Sequence, residues 1–206
     1  MAKYLASPGA QTTVAIMPGF GEGSWHTNRL ARELTTHGYR PVQDASIADI
    51  VVTHSAGCFF LPNTRHNKLL ILIDPPYWPG RSNIVRICQK TWWDFVAHIR
   101  RRKVGFYLHK TAWNWVYILA NIARVVKIGQ LARKHNFHEA LAHETVAIIR
   151  NDHDAWFMPN AAEALPTNET FTFYRLPGEH DDCWLYTREH ADLIHHIILQ
   201  HTRTTG

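Results

Sequence analysis

Five short runs of branched and apolar residues recur along the 206-residue chain, and each stops at a turn. They are Thr12–Met17 (TTVAIM), Ala48–Thr53 (ADIVVT), Lys68–Ile73 (KLLILI), Glu144–Arg150 (ETVAIIR) and Glu169–Leu176 (ETFTFYRL). Runs of this length and composition, bounded by Gly, Pro, Asn and Asp, read as buried strands. Helical spacing lies between and after them. Trp25–His37 places Leu30 and Leu34 on one face before a stop at Gly38, Cys58–Leu61 opens an apolar helix, and Thr187–His201 closes the sequence. Buried strands alternating with helices predict an α/β fold with a mostly parallel sheet flanked by helices. The length and the 46% hydrophobic content suffice for one domain with a real core.

Open parallel sheets bind and react at the carboxyl ends of their strands. Four of the five ends here carry turn-forming or reactive residues. The first runs into Pro18-Gly19-Phe20-Gly21-Glu22-Gly23, the second into His54-Ser55-Ala56-Gly57, the fourth into Asn151-Asp152-His153-Asp154, and the fifth into Pro177-Gly178-Glu179-His180-Asp181. The glycine turn lacks both G-x-G-x-x-G and the Gly-Lys-Ser/Thr of a phosphate loop, which argues against a nucleotide site. The three cysteines, Cys58, Cys88 and Cys183, form no CxxC pair and suggest neither a disulfide framework nor a thiolate zinc site. Fifteen histidines invite a metal, but the clusters at His135–His143 and His190–His201 lack the i, i+4 spacing that puts two imidazoles on one helix face. No metal and no cofactor are expected.

The string Thr53-His54-Ser55-Ala56-Gly57, between strand and helix, resembles the G-x-S-x-G nucleophile elbow of the α/β-hydrolase superfamily, with Thr53 in place of the first glycine. That superfamily orders its triad as serine, acid, histidine, each after a later strand. Asp154, with Pro159 beyond, and the Gly178-x-His180-Asp181 string resemble its acid and histidine loops. The resemblance covers about 150 residues. It implies a trimmed hydrolase sheet, a Ser55–His180–Asp154 triad, and an oxyanion hole from the backbone N–H groups of Ala56 and Phe20. Pro18 stands where relatives often have histidine. Asp152 is an alternative acid. Asp74, after the third run, is a third candidate, and turn capping is its favoured role. His54 reads as structural support.

The resemblance also exposes a shortfall. Only Tyr39–Ile47 lies between the first helix and the nucleophile strand, too little for a full crossover of a dozen or more residues. A helix has been lost, and Arg40–Gln43 is left as a vestigial edge strand.

Charge separates the remaining segment. Between Arg81 and Lys134 lie twelve basic residues and one acid, Asp94, whereas the rest of the chain is net acidic. The segment holds four of the eight tryptophans and reads as helices, most clearly at Ala112–Gly129. The expected organisation is a hydrolase core of residues 1–79 and 140–206, with residues 80–139 inserted as a helical cap. By position the cap lies over Ser55, and Trp92, Trp93, Trp113 and Trp115 are candidate walls for an acyl chain. Arg100-Arg101-Arg102-Lys103 suits a solvated face or weak contact with an anionic membrane surface or ligand. No nucleic-acid motif accompanies it, and none is expected to bind. The N-terminus lacks the apolar run of a secretory signal, and Ala112–Gly129 is broken by Asn114, Asn121 and Arg124, so a cytoplasmic protein is expected.

The activity implied is a serine carboxylester hydrolase acting on small-molecule esters with short to medium apolar acyl chains. Alternatives are lactone or amide hydrolysis on the same triad, or a catalytically silent scaffold whose basic cap binds an anionic partner. The sequence gives no oligomeric state.

Overall fold

Strand formation follows the apolar runs closely. The computed structural model describes residues 11–19, 22–61, 69–75, 92, 96, 104–123, 126, 145–154, 171–180 and 182–204. Six strands appear: β1 (Thr13–Met17), β2 (Arg40–Val42), β3 (Ile50–His54), β4 (Leu69–Ile73), β5 (Thr145–Asn151) and β6 (Phe171–Leu176). They form one sheet in the order β2-β1-β3-β4-β5-β6, with every pairing parallel. The central strands β3 and β4 are buried at every position, as a sheet covered on both faces requires.

Side chains alternate between two apolar layers because successive residues of a strand face opposite ways. Val14, Ile50, Val52, Ile71, Ile73 and Ile149 face the layer that receives Leu30 and Leu34 of α1 (Ser24–Thr36). The same layer takes Ile194, Ile197 and Ile198 of the C-terminal helix (Thr187–Thr204). Ala15, Val51, Leu70, Leu72 and Ile148 face the other, with Phe59, Leu61 and Ala45 packed on them. Two further helices are seen: α2 (Val104–Ala120) and α3 (Asp182–Leu185), which makes the C-terminal helix α4.

The short crossover is real. Seven residues, 43–49, join β2 to β3 without a helix, although β1 lies between the two strands. The expected edge strand is the three-residue β2, paired to β1. Asp49 fastens the crossover's end: its Oδ2 accepts from Thr13 N–H at 2.7 Å and from Thr13 Oγ1–H at 2.6 Å.

Two helices differ from the expectation. The turn after Ser55 is a 3-10 helix over Ser55–Phe60. Helix α2 starts at Val104, eight residues before the Ala112 read from the sequence, and the register breaks at Asn121. The cap boundaries at 80 and 139 lie outside the described residues. Among the described residues, no helix is long and apolar enough to cross a membrane.

Candidate active site

Ser55 is held in the left-handed region, φ 49°, where a residue with a Cβ is disfavoured. The bend turns the chain from β3 into the 3-10 helix. It is tight because β1 ends against it. A Cβ at Gly57 would lie 2.8 Å from the Met17 carbonyl oxygen and 2.9 Å from that of Pro18. A Cβ at Gly19 would lie 2.9 Å from Ser55 Cβ. So the loop after β1 passes directly against Ser55, and only glycine at these two positions permits the approach. Thr53 takes the elbow's first position as a buried β3 residue, in register with Met17 and Leu72.

The strand ends bring three side chains together. Ser55 Oγ–H donates to His180 Nε2 at 2.8 Å, and His180 Nδ1–H donates to Asp154 Oδ1 at 3.0 Å. His180 and Asp154 are buried and Ser55 is half-buried. Both loops are pinned by backbone. Asp154 N–H donates to Asn151 C=O at 3.0 Å and His153 N–H to Gly178 C=O at 2.8 Å, tying the turn after β5 to the turn after β6. Asp182 Oδ2 accepts from Glu179 N–H at 3.0 Å, which fixes the turn that carries His180.

The hydrogen bond at His180 Nδ1 goes to Asp154 and not to either alternative acid. Asp152 is exposed. Asp74, fully buried after β4 with φ 45°, accepts from Asn151 N–H at 2.8 Å and from Asn151 Nδ2–H at 2.5 Å. It therefore braces the strand end from which the Asp154 turn springs. Burial, and then the Asp154 carboxylate, push its carboxyl well above the usual carboxylate range, against the opposing pull of His180 and Asn151. His54, Asp74 and His180 offer ligand atoms within 4.8 Å of one another, but those of His54 and Asp74 already engage protein groups.

Glu22 was not singled out from the sequence, yet it lies at the centre of a buried network. Its Oε2 accepts from Gly19 N–H at 2.5 Å, and its Oε1 accepts from Trp184 Nε1–H at 2.9 Å. His54 Nδ1 lies 2.7 Å from Oε1, and both side chains are 1% exposed. His54 Nε2–H donates to the carbonyl oxygen of His180 at 2.7 Å. A carbonyl only accepts, so His54 Nε2 carries a proton, and Glu22 accepts from two N–H donors, Gly19 and Trp184. The Glu22–His54 pair thus joins the loop after β1 to the loop that carries His180. The signal was hidden because Trp184 lies 162 residues from Glu22.

Of the two residues expected from the sequence to supply oxyanion donors, Ala56 occupies the first turn of the 3-10 helix, where N–H groups have no acceptor within the helix. Phe20 lies outside the described residues, as does Trp93. Trp92 and Trp113 are 59% and 42% exposed. Trp113 Cζ2 lies 3.9 Å from where a Cβ on Gly23 would be, at the rim of the loop after β1. Trp115 is within α2, and its side chain lies outside the described residues.

An all-parallel sheet with a serine at a strained strand-to-helix bend, backed by histidine and acid from later strands, is the architecture of a hydrolase-type α/β protein. No family profile and no curated protein matches the chain. Solved structures do. A structure described with carboxylesterases of the thaumarchaeon Nitrososphaera gargenis superposes with TM-score 0.64 at 12% identity, over 94% of this chain and 92% of that one. A thioesterase domain from the curacin biosynthetic pathway gives 0.58 at 15%, over 89% and 91%. An α/β hydrolase from the metagenome of Mar Chica lagoon sediments in Morocco gives 0.55 at 14%, over 94% and 93%. The chain has the α/β-hydrolase fold.

Proposed function

We propose that the protein is a serine hydrolase that cleaves carboxylic esters with short to medium apolar acyl chains. The observation that carries this reading is the unbroken hydrogen-bonded array Ser55–His180–Asp154 at the carboxyl edge of the sheet. Neighbours of the same fold whose names include carboxylesterases and a thioesterase domain support acyl carbonyl chemistry.

The residues act in sequence. Ser55 Oγ bonds to the acyl carbon while His180 Nε2 takes the hydroxyl proton. The imidazolium gives that proton to the departing alkoxide, and the C–O bond to the alcohol breaks. Water then gives its proton to His180 and attacks the acyl-enzyme, the proton returns to Ser55 Oγ, and the carboxylic acid leaves. Asp154 fixes the Nδ1–H tautomer and stabilises the imidazolium. The N–H groups of Ala56 and Phe20 hold the oxyanion, and Gly19's contact with Ser55 keeps that loop close enough to do so. Asp74, bonded to Asn151, leaves the hydrogen bond with His180 Nδ1 to Asp154.

The test is hydrolysis of a p-nitrophenyl ester series from acetate to decanoate. Turnover is expected in the wild type and background rates in Ser55→Ala. Asp154→Asn should cost roughly 10⁴ in kcat, because the wrong tautomer then faces Ser55. Asp152→Asn should leave the rate nearly unchanged. Equal background rates in wild type and Ser55→Ala across the series would overturn the reading in favour of a silent scaffold.

A further inference from the structure

The water-facing side of α2 is built from the wrong residues for a surface helix. Val104, Leu108, Val116 and Leu119 are 37%, 57%, 58% and 70% exposed, and Ile122 and Val126 beyond the Asn121 break are 59% and 52% exposed. At about 100° per residue the four on α2 fall within roughly 120° of arc. Among the described residues, the other exposed positions between Val104 and Val126 are Gly105, His109, Ala112, Trp113, Ala120 and Ala123, none of them Lys, Arg, Asp or Glu. A soluble helix places charge on this side. Contiguous exposed apolar surface of this kind marks an interaction site.

Charge identifies the occupant. Arg100-Arg101-Arg102-Lys103 directly precedes Val104, and Lys127 directly follows Val126, so basic residues bracket the stripe at both ends. They belong to the segment with twelve basic residues and one acid. A second copy docking through the same face would set two such segments against each other. An anionic bilayer offers both things the surface lacks: an apolar layer for the stripe and negative charge for its ends. The helix is not long and apolar enough to cross a membrane, so it would lie in the interfacial plane.

We propose that α2 docks the protein on an anionic membrane surface through the Val104–Val126 stripe. The consequence for substrate choice rests on the hydrolase reading above. Helix α2 is coupled to the site: the Trp25 and His109 rings pack edge-to-face at 5.8 Å, and Trp113 sits beside Gly23, the neighbour of Glu22. Glu22 in turn holds Gly19 against Ser55. Docking therefore sets the loop beside the nucleophile at the bilayer, where the substrate would be a membrane-resident ester.

Sedimentation with sucrose-loaded vesicles tests this, using full-length Ser55→Ala protein so that binding is read without turnover. Binding is expected to vesicles containing about one-third phosphatidylglycerol. It should fall steeply in about 0.5 M salt and be at least about tenfold weaker on pure phosphatidylcholine. The double variant Val116→Glu/Leu119→Glu should lose about tenfold or more in affinity while keeping its thermal midpoint, because both side chains are exposed. Replacing Arg100–Lys103 with glutamine is a second arm that leaves the stripe intact and should weaken binding to the anionic vesicles alone. No binding to phosphatidylglycerol vesicles, or unchanged binding by both variants, overturns the proposal. So does vesicle-free dimerisation abolished by Leu119→Glu, which would make a second copy the occupant. Vesicle binding together with a wild type that has no esterase activity would refute the hydrolase reading and leave docking standing.

Discussion

Glu22 touches no substrate in the proposed reaction, yet its buried side chain accepts from Gly19 N–H and Trp184 Nε1–H and lies 2.7 Å from His54 Nδ1. Replacing one of its oxygens with an NH2 group keeps the shape but sets a donor where a buried acceptor stood. Leaving a buried donor unsatisfied in this way costs about 1–3 kcal/mol. Glu22→Gln should therefore lower the melting temperature by several degrees and reduce kcat by roughly ten- to a hundredfold, with KM changing much less. Steady-state kinetics and a thermal melt on the same preparation check both. A kcat within about twofold of wild type would show that the loop beside Gly19 does not depend on this carboxylate. At this scale the sequence was partly legible. Ser55, Asp154 and His180 stood out because each follows a recognisable strand. Glu22 did not, because its meaning depends on partners distant in the chain.

The elbow shows what an element contributes beyond its residues. Gly57 belongs to the 3-10 helix, but the carbonyl oxygens of Met17 and Pro18 at the end of β1 dictate its identity. Gly57→Ala places a methyl 2.8 Å from one of them, so the backbone must move. We expect a loss of about 1–3 kcal/mol in stability and a fall in kcat larger than the stability loss accounts for. Circular-dichroism melts and ester turnover check this. Strand positions were legible to within a residue or two because apolar runs define them. The start of α2 was not: Gly105 and the polar His109-Lys110-Thr111 interrupt the apolar pattern, while the helix still forms through them. The 3-10 geometry after Ser55 was also hidden, since it follows from the pressure of β1 and not from local propensity.

Across the whole molecule, titration sets a preferred pH. Burial lowers the pKa of His190, His195 and His201, all carried by α4. A histidine with a depressed folded value contributes stability that is present above its unfolded pKa of about 6.5 and lost as pH falls through the folded one. Asp74 runs the other way: its raised value gives a contribution present below the unfolded pKa, near 4, and lost as pH rises. As pH drops from about 7.5 to about 5.5 the three histidines therefore pull the melting temperature down, while Asp74 opposes them. His190→Gln should reduce that pull most, since His190 is 2% exposed with its Nε2 facing no partner among the described residues. A pH dependence unchanged in that variant would assign the effect to other groups. The pairing of the sheet has a further consequence, in time. Strands β2, β1 and β3, the glycine contacts around Ser55 and the bend itself all lie within the first sixty residues, whereas His180 follows Ser55 by 125. A nascent chain leaving the ribosome can shape its nucleophile long before it has made the base. Until β6 and α4 join, the serine is formed but has no histidine beside it, so on the hydrolase reading the onset of activity would mark the end of folding.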